Sequence, residues 1–354
     1  MRVLIIKTSS MGDIVHTLPA LTDARCAIPD IVFDWVVEED FADIPKLHPA
    51  VQQVIPIALR RWRKNIVKTL TSSEWKIFRQ QLNQQTYDMV IDAQGLLKSA
   101  WLVKLVASKS VGLDKHSARE PLASFFYDKK IDVQKGIHAI ERVRQLFAKA
   151  LNYELPSTLG DYGINAKTIT QSKTNRILFF HGTTWATKLW PSHYWQELSQ
   201  LLQAHNFSTA APWSNQIERQ RVAQLSEAGV IGLGALTLPE LIKHIAAAKA
   251  VVSVDSGLGH LAAALNIPTV FLYGPTNPAL TGGYGVADTS LASQFACAPC
   301  LQEKCAYRGN KILTSTSLHG EVAVAPPCFA EITPDRVKTA LLNLIEQTTS
   351  RAGI

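Results

Sequence analysis

No stretch of this 354-residue chain approaches the roughly 18 uninterrupted apolar residues of a membrane-spanning helix, so any membrane contact is expected to be peripheral. The amino terminus, MRVLIIKTSS, turns polar after a short apolar run. It lacks the longer apolar region and small-residue cleavage site of a signal peptide, and a cytoplasmic protein is expected. Nucleotide signatures are also scarce. There is no Gly-x-x-x-x-Gly-Lys-Ser/Thr phosphate loop, Gly232-Leu233-Gly234 lacks the third glycine of a dinucleotide fingerprint, and no Asp-x-Asp pair stands ready to hold a divalent ion on a sugar nucleotide. Charge neutralisation by a lysine and backbone amides is the simpler expectation, with no cofactor and no catalytic metal. Cysteine is rare, at five residues, and four of them lie late: Cys297, Cys300, Cys305 and Cys328. A C-x₂-C-x₄-C run with a distant fourth fits a structural zinc, and fits reduced thiols in a cytoplasmic loop equally. Strict repeats and low-complexity tracts are absent.

What is present is apolar mass: 47% hydrophobic residues against 18% charged, in a length that suits two ordinary domains. The formal charge of +7 is concentrated, because Arg60 to Arg79 carries seven basic residues against Glu74 alone. No RNA- or DNA-binding signature surrounds it, so the expected partner is an anionic substrate or an anionic membrane surface, not nucleic acid. Within LRRWRK, Arg60, Arg61, Arg63 and Lys64 flank Trp62. Arginine forks suit carboxylates and phosphates, and four cations in five positions repel one another unless an anion visits. An acceptor site is favoured there over a solvated helix face, with Arg119 in AREPLASFFY as a further cation. Glu38-Glu39-Asp40 reads as a solvated turn.

The chain is organised around Val251 to Thr276, VVSVDSGLGHLAAALNIPTVFLYGPT. An apolar strand stops at Asp255-Ser256-Gly257, an apolar helix follows, and a second strand (268–273) closes the unit. Such a turn points the helix's first backbone N–H groups at the carboxyl edge of a parallel sheet, where a phosphate or diphosphate is the natural ligand. An ordinary βαβ turn would look the same. From the amino terminus, strands at 2–7, 31–37, 51–57 and 88–92 alternate with helices at 13–24, 74–85, 97–107 and 138–151. Residues 152–175 read as a linker. Alternation resumes with strands at 176–181, 207–211 and 230–232 and helices from 192, at 216–226 and at 239–249. The pattern predicts an α/β protein of two doubly wound, Rossmann-like domains facing across a cleft, 1–151 and 176–333. A final helix near 334–347, in the terminal segment 334–354, could pack back on the first domain.

Chemistry is expected at the loops that follow the strands. Asp13 closes the first loop and suits a general base, or a helix cap; a helix N-terminus lowers a carboxylate's pKa and weakens it as a base unless desolvation opposes this. His181-Gly182-Thr183-Thr184 ends a strand, and Lys188 follows, so two hydroxyls and a lysine can donate to a diphosphate. Paired with the Asp255–Gly257 turn, these residues form a candidate diphosphate clamp. His260 lies one helical turn further, as a member of that site or as a packed structural histidine.

KTSSMGDIVHTLPALTDA, FDWVVEE, RRWRK, IDAQGLLKSA, AREPLASFFY, SVDSGLGHLAAAL, YGPTNP and GGYG resemble the inner-core lipopolysaccharide ADP-heptose heptosyltransferases, most of all their heptosyltransferase I branch, over most of the chain to about Gly285. The resemblance implies a glycosyltransferase B-type fold, with the acceptor on the first domain and ADP-heptose on the second. It implies inverting, metal-independent transfer of L-glycero-D-manno-heptose to a Kdo residue on lipid A at the cytoplasmic face of the inner membrane. Carried over by motif, Asp13 is the base; Thr183, Thr184, Lys188, Asp255, Ser256, Gly257 and His260 form the donor site; Glu218 holds the ribose and Leu236 borders the adenine. Arg60, Arg61, Arg63, Lys64 and Arg119 face Kdo carboxylates and lipid A phosphates. Ser256 replaces a usual threonine and Leu236 a usual methionine. The cysteine-bearing tail after Phe295 looks more like other branches, heptosyltransferase II among them. That reaction, another nucleotide-sugar transfer, and a non-catalytic nucleotide-binding protein at the membrane surface are the alternatives.

Overall fold

The computed structural model describes residues 1–316 and 320–352. They form two compact units, Met1–Ile164 and Asn165–Ile354. In the first, β1 (Arg2–Ile6), β2 (Val32–Glu38), β3 (Val51–Ile57), β4 (Met89–Asp92), β5 (Ser110–Leu113) and β6 (Lys129–Ile131) make an all-parallel sheet in the order β3-β2-β1-β4-β5-β6. Near-continuous apolar runs such as VLII in β1 are what a sheet covered on both faces requires, and Val3, Leu4, Ile5 and Ile6 are fully buried. The strand order reverses between β1 and β4, so the loops leaving their carboxyl ends flank a switch point, where ligands of such sheets bind.

Two local expectations change here. The helix read at 13–24 is two helices, Met11–Val15 and Leu18–Ala27. Pro19, with no N–H to give, sits in the first turn of the second helix, and the Thr17 hydroxyl bonds back to the Asp13 carbonyl at 2.9 Å. The segment read as a linker is not free chain in its first half. After Asn152, which ends the helix Ala139–Leu151 in a left-handed conformation (φ 60°), the backbone is tied down by Arg144. The buried Arg144 guanidinium pairs with Asp23 at 2.6 Å and donates to the carbonyls of Pro156 (3.2 Å) and Thr158 (3.0 Å). Tyr162 and Ile164 are then buried, and the division between units falls at residue 164.

The second unit repeats the plan with β7 (Arg176–Phe180), β8 (Ser208–Ala211), β9 (Ile231–Gly232), β10 (Ala250–Val254), β11 (Thr269–Tyr273) and β12 (Asp288–Ala292), all parallel, in the order β12-β11-β10-β7-β8-β9. β7 and β10 are neighbours at the reversal of order. A hairpin of β13 (Leu313–Thr316) and β14 (Gly320–Ala323) lies outside this sheet. The core is aromatic: Trp190, Tyr194, Trp195, Phe179 and Phe329 cluster together, and the Trp190 indole N–H donates to the Ile332 carbonyl at 2.9 Å. The last helix, Pro334–Ala352, is a correction to the expectation that it returns to the first domain. Val337, Leu341, Leu344 and Ile345 recur at helical spacing and enter this second core, against the helix Ser192–Gln203. Among the described residues no helix is long and apolar enough to cross a membrane.

Two stability predictions follow from buried charge. Arg144→Ala strands Asp23 and frees the backbone at 156–158, and is expected to destabilise the first unit by roughly 3–5 kcal/mol in urea unfolding. Asp288, whose Oδ2 has no hydrogen-bond partner among the described residues, is pushed by burial up to about 7. Its folded form holds a proton that the unfolded form loses near pH 4, so it favours folding below that and loses its contribution as pH rises to about 7. Asp288→Asn should flatten this decline in thermal melts recorded between pH 4 and 8.

Candidate active site

In the second unit, the loops leaving β7, β10 and β11 converge on one carboxylate. Asp255, the first residue after β10, is buried. Lys188 places its ammonium 2.7 Å from Asp255 Oδ2, the Thr276 hydroxyl donates to the same oxygen at 2.8 Å, and His260 Nε2 lies 3.7 Å from Oδ1. Burial by itself would raise the Asp255 pKa; His260 and Lys188 outweigh it and hold the carboxyl at about 2. Lys188 also lies over the Trp185 ring, 4.5 Å from its centroid. Its charge is therefore shared with a carboxylate and an indole, and a diphosphate would meet a lysine already fixed in place. An ammonium has three N–H donors, so this pairing leaves it donors to offer.

The turn itself is built as the sequence leads one to expect. Ser256 caps the helix Gly257–Ala264, its hydroxyl accepting from Gly259 N at 3.4 Å and contacting Ser253 Oγ at 3.0 Å. Gly259 is required for packing, because a Cβ there would sit 2.5 Å from Ser253 Oγ and 2.6 Å from the Phe271 ring. His260 is both a member of the cluster and a packed residue, stacked on Phe271 at 5.2 Å. The Thr183 hydroxyl reaches the Asp255 carbonyl at 3.4 Å, whereas Thr184 is exposed.

Beside this cluster a cavity of about 110 Å³ is lined by His181, Gly182, Trp213, Ser214, Glu218 and Leu236, among others. Asn215 caps the helix Gln216–Ser226, and Glu218 in its first turn accepts from Ser214 N at 2.7 Å and from the Ser214 hydroxyl at 2.9 Å. Gly182 is what admits that carboxylate, since a Cβ at 182 would lie 2.5 Å from Glu218 Oε1. Glu218 and Leu236, eighteen positions apart, thus border one hollow with the end of β7. Sequence reasoning missed Trp213, Thr276 and Arg221, which donates to the His181 carbonyl at 3.2 Å. Trp213 was detectable as an aromatic residue just past a strand's carboxyl end; Thr276 and Arg221 gave no signal apart from their three-dimensional partners.

In the first unit Asp13 follows β1. Its Oδ2 accepts from Ser10 N and from the Ser10 hydroxyl, both at 2.8 Å, closing a capping box at the helix Met11–Val15. Capping and function are compatible, since Oδ1 takes no part in these two bonds. Burial works to raise the Asp13 pKa, but Lys7, the two Ser10 bonds and Arg119 together bring it below the ordinary value. Lys7 is buried and donates to the Ala93 carbonyl at 3.0 Å, and Lys98 donates to Ser9 Oγ at 3.0 Å; both loop cations were missed.

The basic segment departs from expectation in its balance of charge. Glu39 and Asp40 are exposed in a short turn, as expected, but Glu38 is buried and all three face the arginines. The buried Glu38 accepts from Arg60 N at 2.9 Å, Asp40 pairs with Arg60 at 3.5 Å, and Glu39 pairs with Arg61 at 3.2 Å. Arg61 also meets Glu74 at 2.7 Å, and Glu74 takes the Trp62 indole N–H at 2.9 Å. Mutual repulsion is therefore relieved internally. Among the described residues no ion pair holds Arg63, Lys64, Lys68, Lys76 or Arg79, and all five are exposed cations of the segment that can meet an anion.

Comparison with known proteins agrees with this geometry. The model of glycosyltransferase family 9 (heptosyltransferase) matches residues 75–311. The chain is 51% identical to lipopolysaccharide heptosyltransferase 1 of Pseudomonas aeruginosa over 347 residues, covering 96% of this chain and 97% of that one. It is 51% identical to the Escherichia coli K12 protein of the same name over 291 residues, 80% of this chain and 91% of that one. Among solved structures, E. coli heptosyltransferase WaaC with ADP superposes with a TM-score of 0.77 at 49% identity, over 82% of this chain and 92% of that one. E. coli ADP-heptose lps heptosyltransferase II shares the fold, with a TM-score of 0.71 at 20% identity over 99% and 100% of the two chains. Two parallel α/β units with polar clusters at their switch points, together with these matches, make this chain a member of glycosyltransferase family 9, the heptosyltransferases.

Proposed function

We propose that the protein transfers L-glycero-D-manno-heptose from ADP-heptose to a Kdo residue of the lipopolysaccharide inner core, the heptosyltransferase I reaction, with inversion at the anomeric carbon. The observation that carries this is the Asp255-centred cluster beside the Glu218 cavity: a fixed lysine and a capped helix N-terminus adjoin a hollow with a carboxylate for ribose hydroxyls. The relatives named above, lipopolysaccharide heptosyltransferases of which one was solved with ADP, support a heptose donor carried on ADP and a lipopolysaccharide acceptor.

The steps follow from these groups. The acceptor hydroxyl attacks the anomeric carbon from the face opposite the phosphate; its proton passes to Asp13 as the new C–O bond forms and the bond to ADP breaks. A carboxylate below the ordinary pKa stays ionised at neutral pH and takes the proton only as the attacking oxygen becomes acidic, in the transition state. Lys188, the Thr183 and Thr184 hydroxyls, and the N–H groups at Ser256 and Gly257 receive the charge that grows on the departing diphosphate. Glu218 holds the ribose while Leu236 and Trp213 border the base. Arg63, Lys64 and Arg119 meet acceptor carboxylates and phosphates, with Arg60 and Arg61 fixed behind them by Glu39, Asp40 and Glu74. The enzyme works at the cytoplasmic face of the inner membrane. Exposed Val67, Leu70 and Ile77 lie in and beside the basic segment, a combination suited to an anionic lipid surface.

The first test is ADP release from ADP-heptose, with and without Kdo-bearing deacylated lipid A, in the presence of a chelator. Release that needs this acceptor and survives the chelator is expected; release only with an already heptosylated acceptor would move the assignment to the second transferase, and ADP binding without release would leave a non-catalytic protein. Asp13→Asn should lower kcat by roughly 10²–10⁴-fold, the usual worth of a general base, with ADP affinity unchanged. Gly182→Ala, by displacing Glu218, should weaken ADP binding about tenfold in calorimetry, near 1.4 kcal/mol.

A further inference from the structure

Four of the five thiols gather where the donor chemistry does not use them. Cys297, Cys300, Cys305 and Cys328 line one hollow of about 200 Å³, together with Thr187, Pro275 and Gln302 among others. All are free, and Cys26 lies elsewhere, in the first unit. Cys328 is buried, Cys300 is half-buried, and Cys297 and Cys305 are exposed.

The backbone is arranged to bring them there. Leu301 turns the chain through a left-handed conformation (φ 54°) immediately after Cys300, and its N–H donates to the Pro275 carbonyl at 2.9 Å. Beyond Cys305 the chain runs out along β13 and returns along antiparallel β14. It then reaches Cys328 in the short helix Pro327–Phe329, whose Phe329 is fully buried in the core. A C-x₂-C pair, a third cysteine, a hairpin and a fourth cysteine anchored in a core is the layout of a small thiolate metal ribbon. As plain thiols these residues have little to do, since Cys297 and Cys305 are exposed and add nothing to the core. Among the described residues no three His, Cys, Asp or Glu side chains already stand as a metal-holding group, so the thiols share a wall but have yet to close on a centre.

We propose that Cys297, Cys300, Cys305 and Cys328 bind one thiophilic divalent metal ion, zinc or ferrous iron, in a four-thiolate site that fastens the 297–328 segment onto the donor-binding unit. Four sulfur ligands are the tetrahedral preference of both ions, and thiolates select them over magnesium or calcium. Each thiol gives its proton to solvent on binding, so four thiolates and one dication carry a net charge of −2; Lys304, Arg308 and Lys311 lie in the chain that follows Gln302 and Glu303. Such a site keeps no open position, which makes it structural and leaves the transfer chemistry to the residues already assigned. The segment it fastens grips both sides of the Asp255 cluster. The Thr187 hydroxyl donates to the Gln302 carbonyl at 2.6 Å, one residue before Lys188, and Pro275, which accepts from Leu301, precedes Thr276. The metal would hold these two loops in register.

The decisive measurement is elemental analysis of the full-length protein purified without chelator and again after anaerobic incubation of stripped protein with Zn²⁺. About one zinc or iron per chain is expected, zinc giving a colourless protein and iron one that is nearly colourless as the ferrous form and gains visible thiolate charge-transfer absorption when air oxidises it by one electron to the ferric form. Cobalt substitution should give the visible spectrum of a tetrahedral thiolate site. Cys300→Ser and Cys328→Ser should each lose the metal while Cys26→Ser keeps it. Thiol titration of the wild-type protein guards against a variant that merely misfolds: one thiol should react at once and four more only after a strong chelator. Absence of metal in both preparations, or a disulfide among the four in the anaerobic protein, would overturn the site. Stripping should also weaken ADP binding several-fold, reversibly on adding zinc. Unchanged ADP affinity would overturn the coupling to the donor loops, and absence of ADP binding in loaded and stripped protein alike would count against the donor assignment instead.

Discussion

The carboxylate of Asp255 is the point at which the second unit's switch-point loops meet, because it ties together loops that come from three different strands. Lys188 arrives from β7, Thr276 from β11, and Asp255 itself ends β10. At 2.7 Å the Lys188–Asp255 attraction is about 6 kcal/mol with an effective dielectric near 20. Desolvating two ions costs several kcal/mol each, so the net gain in stability is small. What the pair supplies is placement. A lysine free in solvent would have to surrender rotamer entropy each time a diphosphate arrived; here that ordering is already present before the ligand binds. The same interaction reconciles a fixed anion with the proposed diphosphate site. Asp255 does not oppose the diphosphate as an unpaired charge would, since Lys188 and the hydroxyl of Thr276 occupy its Oδ2.

The first unit uses the opposite arrangement around its own switch point. Asp13 is surrounded by donors and cations, with the Ser10 backbone and hydroxyl bound to it and Lys7 and Arg119 acting from a distance. These keep the carboxylate ionised despite burial, and so keep it ready to accept a proton. They also keep it weakly basic in the ground state, and with Asp13 as the proposed base its useful interaction with the proton would fall in the transition state, where the acceptor oxygen gives it up. On the proposed reading, one fold, present twice, fixes a cation for the leaving group in one copy and an anion for the nucleophile in the other.

Much of this was legible from residues alone, and the reason is periodicity. The buried parallel strands are runs of β-branched and apolar residues, and turns such as Asp255-Ser256-Gly257 mark their carboxyl ends, so strand order apart, the two α/β units and most loop residues could be placed. β5 and β6, at four and three residues, were too short to show a period. β13 and β14 are exposed and had no apolar face to betray them. The final helix was found, but its partner was not, because an apolar stripe states that a face is buried and not against what. Partners are what sequence reading loses generally: Arg144 with Asp23 spans 121 positions, and Thr276 with Asp255 spans 21.

The basic segment shows the physical limit of reading charge from sequence. Seven cations against Glu74 in one stretch imply a strongly positive surface when only near neighbours are counted. Folding brings Glu38, Glu39 and Asp40 across from β2, twenty or more positions away, and Arg61 is left between two carboxylates. Such exposed pairs contribute little to stability, generally under 1 kcal/mol each. They do fix the direction of the guanidinium planes of Arg60 and Arg61, and among the described residues they leave Arg63, Lys64, Lys68, Lys76 and Arg79 as exposed cations without a carboxylate partner. An acceptor carrying carboxylates and phosphates would then be recognised by a few charges held at set positions more than by the total charge of the segment. If the proposed acceptor binds there, specificity for one anionic sugar over a generic polyanion would follow from that geometry, since misplaced anions would meet Glu39, Asp40 and Glu74 as well as the arginines.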